Sequence, residues 1–234
     1  MEDVYSYILG FLPLKDIYHS MQIDWAFYRA SQHPELWSRL LNQYGDDWKQ
    51  LKEKTLYQTY KKCYQLSKMI KGMQLNELIK LTTLNLSNNQ LTTIPQSIGQ
   101  LTNLCELYLY DNKLTTIPQS IGQLINLQIL DLSNNQLTTI PPEIGQLTNL
   151  QNLYLSDNRL TTIPPEIGKL INLRELYLDY NQLTTIPQEL GQLNNLRRLD
   201  LHNNQLKIIP STIKHLSNLV ILYLQYTQLT TIPQ

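Results

Sequence analysis

Cysteine is almost missing from this chain: Cys63 and Cys105 are the only two among 234 residues. Two thiols cannot build a disulfide framework, and their scarcity fits a reducing, intracellular setting. Net charge is missing as well. The 19 Lys and Arg balance the 19 Asp and Glu, so no overall field draws the chain to nucleic acid or to an anionic membrane, and neither is expected as a partner. With 8 Gly and 11 Pro against an apolar share of 42%, the composition is not that of a disordered chain. No stretch approaches the ~18 apolar residues that a membrane span requires. The opening Met1-Glu2-Asp3 is not followed by a basic and then an apolar segment; no signal peptide is expected, and the expected location is cytoplasmic.

Catalytic signatures are absent too. There is no Gly-rich phosphate loop, no His-Glu-x-x-His and no Cys-x-x-Cys pair. His19, His33, His202 and His215 are scattered, and Cys105 has no His or acid beside it whose role could be argued. Asn85-Leu86-Ser87 fits a glycosylation sequon, which would matter only after secretion. The expectation is a non-catalytic chain with no metal and no cofactor.

What the chain has in excess is leucine, at 46 residues, and the excess is periodic. Ile-Pro pairs stand at Ile94, Ile117, Ile140, Ile163, Ile186, Ile209 and Ile232, each step being 23 residues. A constant period of this length marks a stacked repeat architecture. One unit reads Leu127-x-x-Leu130-x-Leu132-x-x-Asn135-x-Leu137, then Ile140-Pro141-x-x-Ile144-x-x-Leu147. Leu130 and Leu132 alternate with Asp131 and Ser133, so that stretch predicts a short half-buried strand. Pro141 and Pro142 forbid a long helix on the return path and leave extended or 3₁₀ structure. Asn89, Asn112, Asn135, Asn158, Asn181 and Asn204 fall at equivalent turns, where a buried carboxamide can satisfy unpaired backbone groups, and Thr227 ends the series. The pattern resembles the leucine-rich repeat family. That resemblance implies a curved parallel-sheet solenoid of seven units over residues 75–234, the last incomplete, with Leu75, Leu78 and Leu81 forming a preceding half-unit.

Before residue 75 the period vanishes. Trp25, Trp37, Trp48, Phe11 and Phe27 all lie in this head, with 10 of the 19 Lys and Arg. Val4, Ile8, Leu9 and Leu12 have helical spacing up to Pro13; Leu14, Ile17 and Met21 predict a second helix, and Leu36, Trp37, Leu40 and Leu41 a third beginning near Pro34. Residues 42–74, with Trp48, Leu51, Leu56, Tyr60, Cys63 and Tyr64 among lysines, predict one or two amphipathic helices that act as a linker and N-terminal cap. The run Ile8-Leu9-Gly10-Phe11-Leu12-Pro13-Leu14-Lys15-Asp16-Ile17, then Ile23 and Pro34-Glu35-Leu36-Trp37, resembles an F-box over residues 1–41. The family's central Trp position holds Phe27, and its opening Leu-Pro is not present. Taken together the fold expected is α+β, a short all-helical head followed by the solenoid.

On the F-box resemblance, Val4, Ile8, Leu9, Leu12, Pro13, Leu14, Ile17 and Trp37 would contact a Skp-type adaptor and through it a cullin–RING ligase. The repeats would hold the protein to be ubiquitinated. The rival expectation is a stand-alone interaction scaffold whose head serves only as a cap. Repeats so alike suit a eukaryotic, a large viral or an intracellular bacterial source, the last two implying a host-directed effector in host cytoplasm.

Comparing the repeats with one another locates the binding face. The Leu-Thr-Thr-Ile-Pro segment scarcely changes, whereas the positions between the strand leucines vary widely. One column reads Asn85, Tyr108, Asp131, Tyr154, Tyr177, Asp200, Tyr223; the next Ser87, Tyr110, Ser133, Ser156, Asp179, His202, Gln225; the third Asn88, Asp111, Asn134, Asp157, Tyr180, Asn203, Tyr226. All seven tyrosines of the repeat region lie in these three columns. Tyr joins a large contact area to few rotatable bonds and a polar tip. With Glu106, Glu175 and Arg198 in the column before, the face is locally acidic. The expected substrate-binding residues are Glu106, Tyr108, Tyr110, Asp131, Tyr154, Glu175, Tyr177, Asp179, Tyr180, Asp200, His202, Tyr223 and Tyr226, and the expected partner is a folded protein with a basic contact surface. The carboxylates of this face are expected to be open and solvated.

Overall fold

The computed structural model describes residues 80–231. The expected F-box helices, the linker over 42–74 and the leading half-unit residues Leu75 and Leu78 lie outside the described residues.

Each repeat contributes one strand of three residues: β1 Thr83–Asn85, β2 Glu106–Tyr108, β3 Ile129–Asp131, β4 Asn152–Tyr154, β5 Glu175–Tyr177, β6 Arg198–Asp200 and β7 Ile221–Tyr223. They form one parallel sheet in sequence order, and every pairing steps by the repeat length, as in Leu107↔Leu130 and Leu130↔Leu153. Parallel neighbours need a crossover. Here it is an extended Pro followed by a five-residue 3₁₀ turn, as at Pro141 (φ −68°, ψ 146°) leading into Pro142–Gln146. The ring fixes the extended entry, and the turn closes with Leu147 N–H donating to Ile144 O at 3.1 Å. Both outcomes expected for the return path therefore occur, one after the other.

The interior is a stack of leucine layers. Leu107, Leu130, Leu153, Leu176 and Leu199 are fully buried, as are Leu109, Leu132, Leu178 and Leu201 one alternation later, and Ile144, Leu147 and Leu150 close the far side. Each such side chain contributes about 1.5–3 kcal/mol of transfer free energy. In β7, which no described strand follows, the equivalent Leu222 is 36% exposed. The core is thus made between repeats as well as within them.

Three residues beyond each strand the chain turns away in a left-handed conformation: Asn88, Asp111, Asn134, Asp157, Tyr180, Asn203 and Tyr226 all have φ between 50° and 58°. Asn and Asp tolerate this region best after Gly, which accounts for five of the seven. The next residue is the ladder asparagine. Asn158 Nδ2 donates to Leu132 O (3.0 Å), Leu155 O (3.2 Å) and Ser156 O (3.1 Å), while its Oδ1 accepts from Leu137 N–H at 2.9 Å. Asn135, Asn181 and Asn204 repeat the arrangement, binding main-chain groups 21 and 26 residues back. Each carboxamide so joins its own turn to the preceding repeat. Thr227 keeps one bond, its hydroxyl donating to Leu224 O at 2.8 Å.

Candidate functional site: the concave sheet face

Alternation along each strand sends the leucines inward and the residues between them to the opposite face. Glu106, Tyr108 and Tyr110 therefore share the concave face with Glu175, Tyr177 and Asp179, and with Arg198, Asp200 and His202. The parallel register sets the second of each triple in one row: Tyr108↔Asp131, Asp131↔Tyr154, Tyr154↔Tyr177, Tyr177↔Asp200 and Asp200↔Tyr223. Nothing in the chain order brings these residues together; the 23-residue crossover does.

At the centre of the row the Tyr154 and Tyr177 rings stack, with centroids 5.0 Å apart and planes at 28°. The Arg198 guanidinium carbon lies 5.0 Å from the Tyr177 ring centroid and 5.1 Å from that of Tyr223. Tyr154, Tyr177, Arg198 and Tyr223 thereby form a continuous stack across four repeats, each contact of a kind that contributes about 0.5–1.5 kcal/mol. Acids hold the phenols from the side. Tyr177 OH donates to Glu175 Oε2 at 3.3 Å and Tyr108 OH to Glu106 Oε2 at 3.2 Å, whereas Tyr154 OH accepts from Asn152 Nδ2 at 3.2 Å. Burial pushes the Tyr177 hydroxyl up to about 12, with the Glu175 charge adding to the effect. Burial likewise raises Tyr108 and Tyr154.

An acidic group borders the stack. Asp179 accepts from Ser156 OH at 2.6 Å, and Asp200 accepts from the His202 backbone N–H at 3.2 Å and meets the His202 ring at Nδ1. Asp179 and Asp200 are only 8% and 5% exposed. The open, solvated carboxylates expected from the sequence are therefore not found at these two positions. Asp179 is enclosed with Ser156, and Asp200 is a short side chain set between the larger Tyr177 and Tyr223 and beside His202. Exposed Asp157 has its pKa raised, first by desolvation and then by Asp179, with His202 opposing. The donor atoms of Asp179, Asp200 and His202 lie within 4.8 Å of one another, so these are the described residues that could meet a cation.

The remaining candidates divide by position. Asp131 accepts from Ser133 N–H at 3.0 Å and lies half-buried in the row, Tyr110 is 37% exposed on the face, and Tyr223 closes the stack. Tyr180 and Tyr226 are not on the sheet face. They occupy the left-handed turn at its border, where a bulky residue is strained. Tyr180 still adjoins the site, its ring meeting His202 edge-on at 4.9 Å, whereas Tyr226 is 80% exposed. Arg198 was legible in the sequence only as a counter-charge. The signal for its role is the short Asp200 between two tyrosines of the row, a gap that the Arg on the same strand fills. A second asparagine ladder, which no sequence column above includes, runs along the other sheet edge: Asn126, Asn149, Asn172, Asn195 and Asn218 each donate to a carbonyl 24 residues back, beside a groove that includes Arg174 and Arg197.

The leucine-rich repeat family matches residues 79–137, 103–160 and 148–206, and its two-copy form matches 194–234, together two-thirds of the chain. The chain belongs to the leucine-rich repeat family. Among solved structures, a leucine-rich repeat protein of Leptospira interrogans is 48% identical with a TM-score of 0.63, the match covering 65% of this chain and 39% of that one. The plant peptide hormone receptor RGFR1, solved in complex with RGF2, is 36% identical with a TM-score of 0.54, covering 58% of this chain and 23% of that one. Toll of Drosophila, solved in complex with Spatzle, is 31% identical with a TM-score of 0.62, covering 66% of this chain and 22% of that one. The chain thus spans well under half the length of each. No curated protein matches it.

Proposed function

We propose that this repeat protein is the substrate-recognition subunit of a Skp–cullin–F-box ubiquitin ligase. On this reading the head engages a Skp-type adaptor and the concave face holds the target. The observation that carries the recognition half is the Tyr154–Tyr177–Arg198–Tyr223 stack bordered by acids. It supplies rigid aromatic anchors and a locally charged rim on one open face, as protein interfaces require. Relatives of the same fold, RGFR1 and Toll, are solved with ligands bound, which supports a holding role for the repeats. The ligase half rests on the F-box resemblance of residues 1–41. The chain itself makes no bond. It raises the target's effective concentration near a ubiquitin-charged enzyme in the cytoplasm.

The test is co-purification of the full chain with a Skp-type adaptor, wild type against a Leu12→Asp/Pro13→Ala double variant. A stable wild-type complex lost in the variant is expected. No complex with wild type would leave the second reading, a stand-alone interaction scaffold with a helical cap. The ligand-holding relatives support the holding role equally on either reading.

A further inference from the structure

Arg198 carries a charge that the structure orients and leaves unanswered. In the concave row Asp200 separates Tyr177 from Tyr223. Strands spaced ~4.8 Å apart put those two residues roughly 10 Å from each other, with no ring between them. The guanidinium occupies that gap, 5.0 Å and 5.1 Å from the two ring centroids. Its in-register neighbour on β5 is Glu175, yet no ion pair forms, and Glu175 instead accepts from Tyr177 OH. Asp200, two residues along the same strand, is engaged by His202. Among the described residues Arg198 has no hydrogen-bond or ion-pair partner, and its Nε is shut off from solvent with no acceptor.

We propose that Arg198 is the anchor for a carboxylate, an Asp or Glu side chain of the protein held on the concave face. This rests on the reading of that face as a partner surface. A guanidinium takes a planar carboxylate through two parallel N–H···O bonds. The two tyrosine rings hold it in advance, so little side-chain freedom is lost on binding. A doubly charged phosphate is disfavoured, because Glu175 and Asp200 flank the guanidinium. The same field selects the surroundings of the incoming acid. Asp157 and Asp179 attract cations, and His202, in the same row as Asp179, lies four residues beyond Arg198, roughly 13 Å along an extended strand. The fitting contact is therefore an acid with a basic residue at about that separation, rather than a uniformly basic surface.

The test uses the full chain labelled with ¹⁵N-arginine, titrated at constant ionic strength with sodium acetate and, separately, with inorganic phosphate. The Arg198 Nε–Hε resonance is expected to shift saturably with acetate, with half-saturation at least roughly fivefold below that of the exposed Arg159, Arg174 and Arg197. In Tyr223→Leu, which removes one ring face, the half-saturation should rise toward that of the exposed arginines. An Arg198 response equal to theirs would overturn the proposal, as would tighter binding of phosphate than of acetate. Neither titration involves an adaptor, so a failure here is separate from a failure of the ligase reading, which shows as loss of co-purification.

Discussion

At Asn158 four main-chain groups converge on one carboxamide. Removing it leaves the buried Leu137 N–H without its acceptor, at about 1–3 kcal/mol, while the three carbonyls keep a second donor each, from Asn135, Asn181 and the Asn134 N–H. Asn158→Ala is expected to lower unfolding stability by about 1–3 kcal/mol in urea denaturation, the cost of that one unsatisfied N–H. A loss under about 0.5 kcal/mol, the scale of an ordinary surface substitution, would show the ladder to be dispensable. Tyr177 gives the pH dependence. Its folded-state pKa, about 12, stands above the ordinary 10.0. The stability linked to its proton is therefore complete below pH 10 and falls away as pH climbs from 10 toward 12. Denaturant midpoints measured across that window should decline less steeply in Tyr177→Phe than in wild type; parallel declines would exclude Tyr177 as the group responsible. Asp157 has the same sign at acid pH. Its raised pKa means that ionisation is disfavoured by folding, so it contributes stability only where it is protonated.

Among the elements, the 3₁₀ turns are where neighbouring repeats press hardest. A Cβ at Gly145 would stand 2.6 Å from Glu166 O and 2.8 Å from Glu166 Cβ, both in the next repeat. Gly99, Gly122, Gly168 and Gly191 meet their successors in the same way. These glycines answer to close approach, not to a left-handed backbone. Gly145→Val should force the two turns apart and cost about 1–3 kcal/mol, the usual scale of overpacking, read as a drop in Tm. An unchanged Tm would mean that the stack can spread there. The seventh unit, which no described unit follows, has Lys214 at this position. The strands, by contrast, were plain from the sequence, because Leu130-x-Leu132 alternates and Asn135 follows at a fixed distance. Their brevity was less so. Each extended run is stopped by the left-handed turn three residues past the strand, and Tyr180 and Tyr226 show that this position is not announced by residue type alone.

Across the whole molecule the balanced charge resolves into local asymmetry. Asp157 and Asp179 lie past the C-terminal ends of the strands, beside Asp200 of the row, while Arg174 and Arg197 face the groove on the other sheet edge. The row of tyrosines runs between the two edges. The solenoid, its period, its leucine core and the set of residues that share the concave face followed from the sequence by itself, because a constant 23-residue step and a strict alternation allow only one stacking register. Which acids are buried, which phenol is held by which carboxylate, and that Arg198 is gripped by two rings yet left unpaired were decided only by the tertiary structure. Those outcomes depend on side chains one and two repeats apart whose lengths must fit across neighbouring strands. Packing of that kind is a property of the assembled sheet, not of any single repeat.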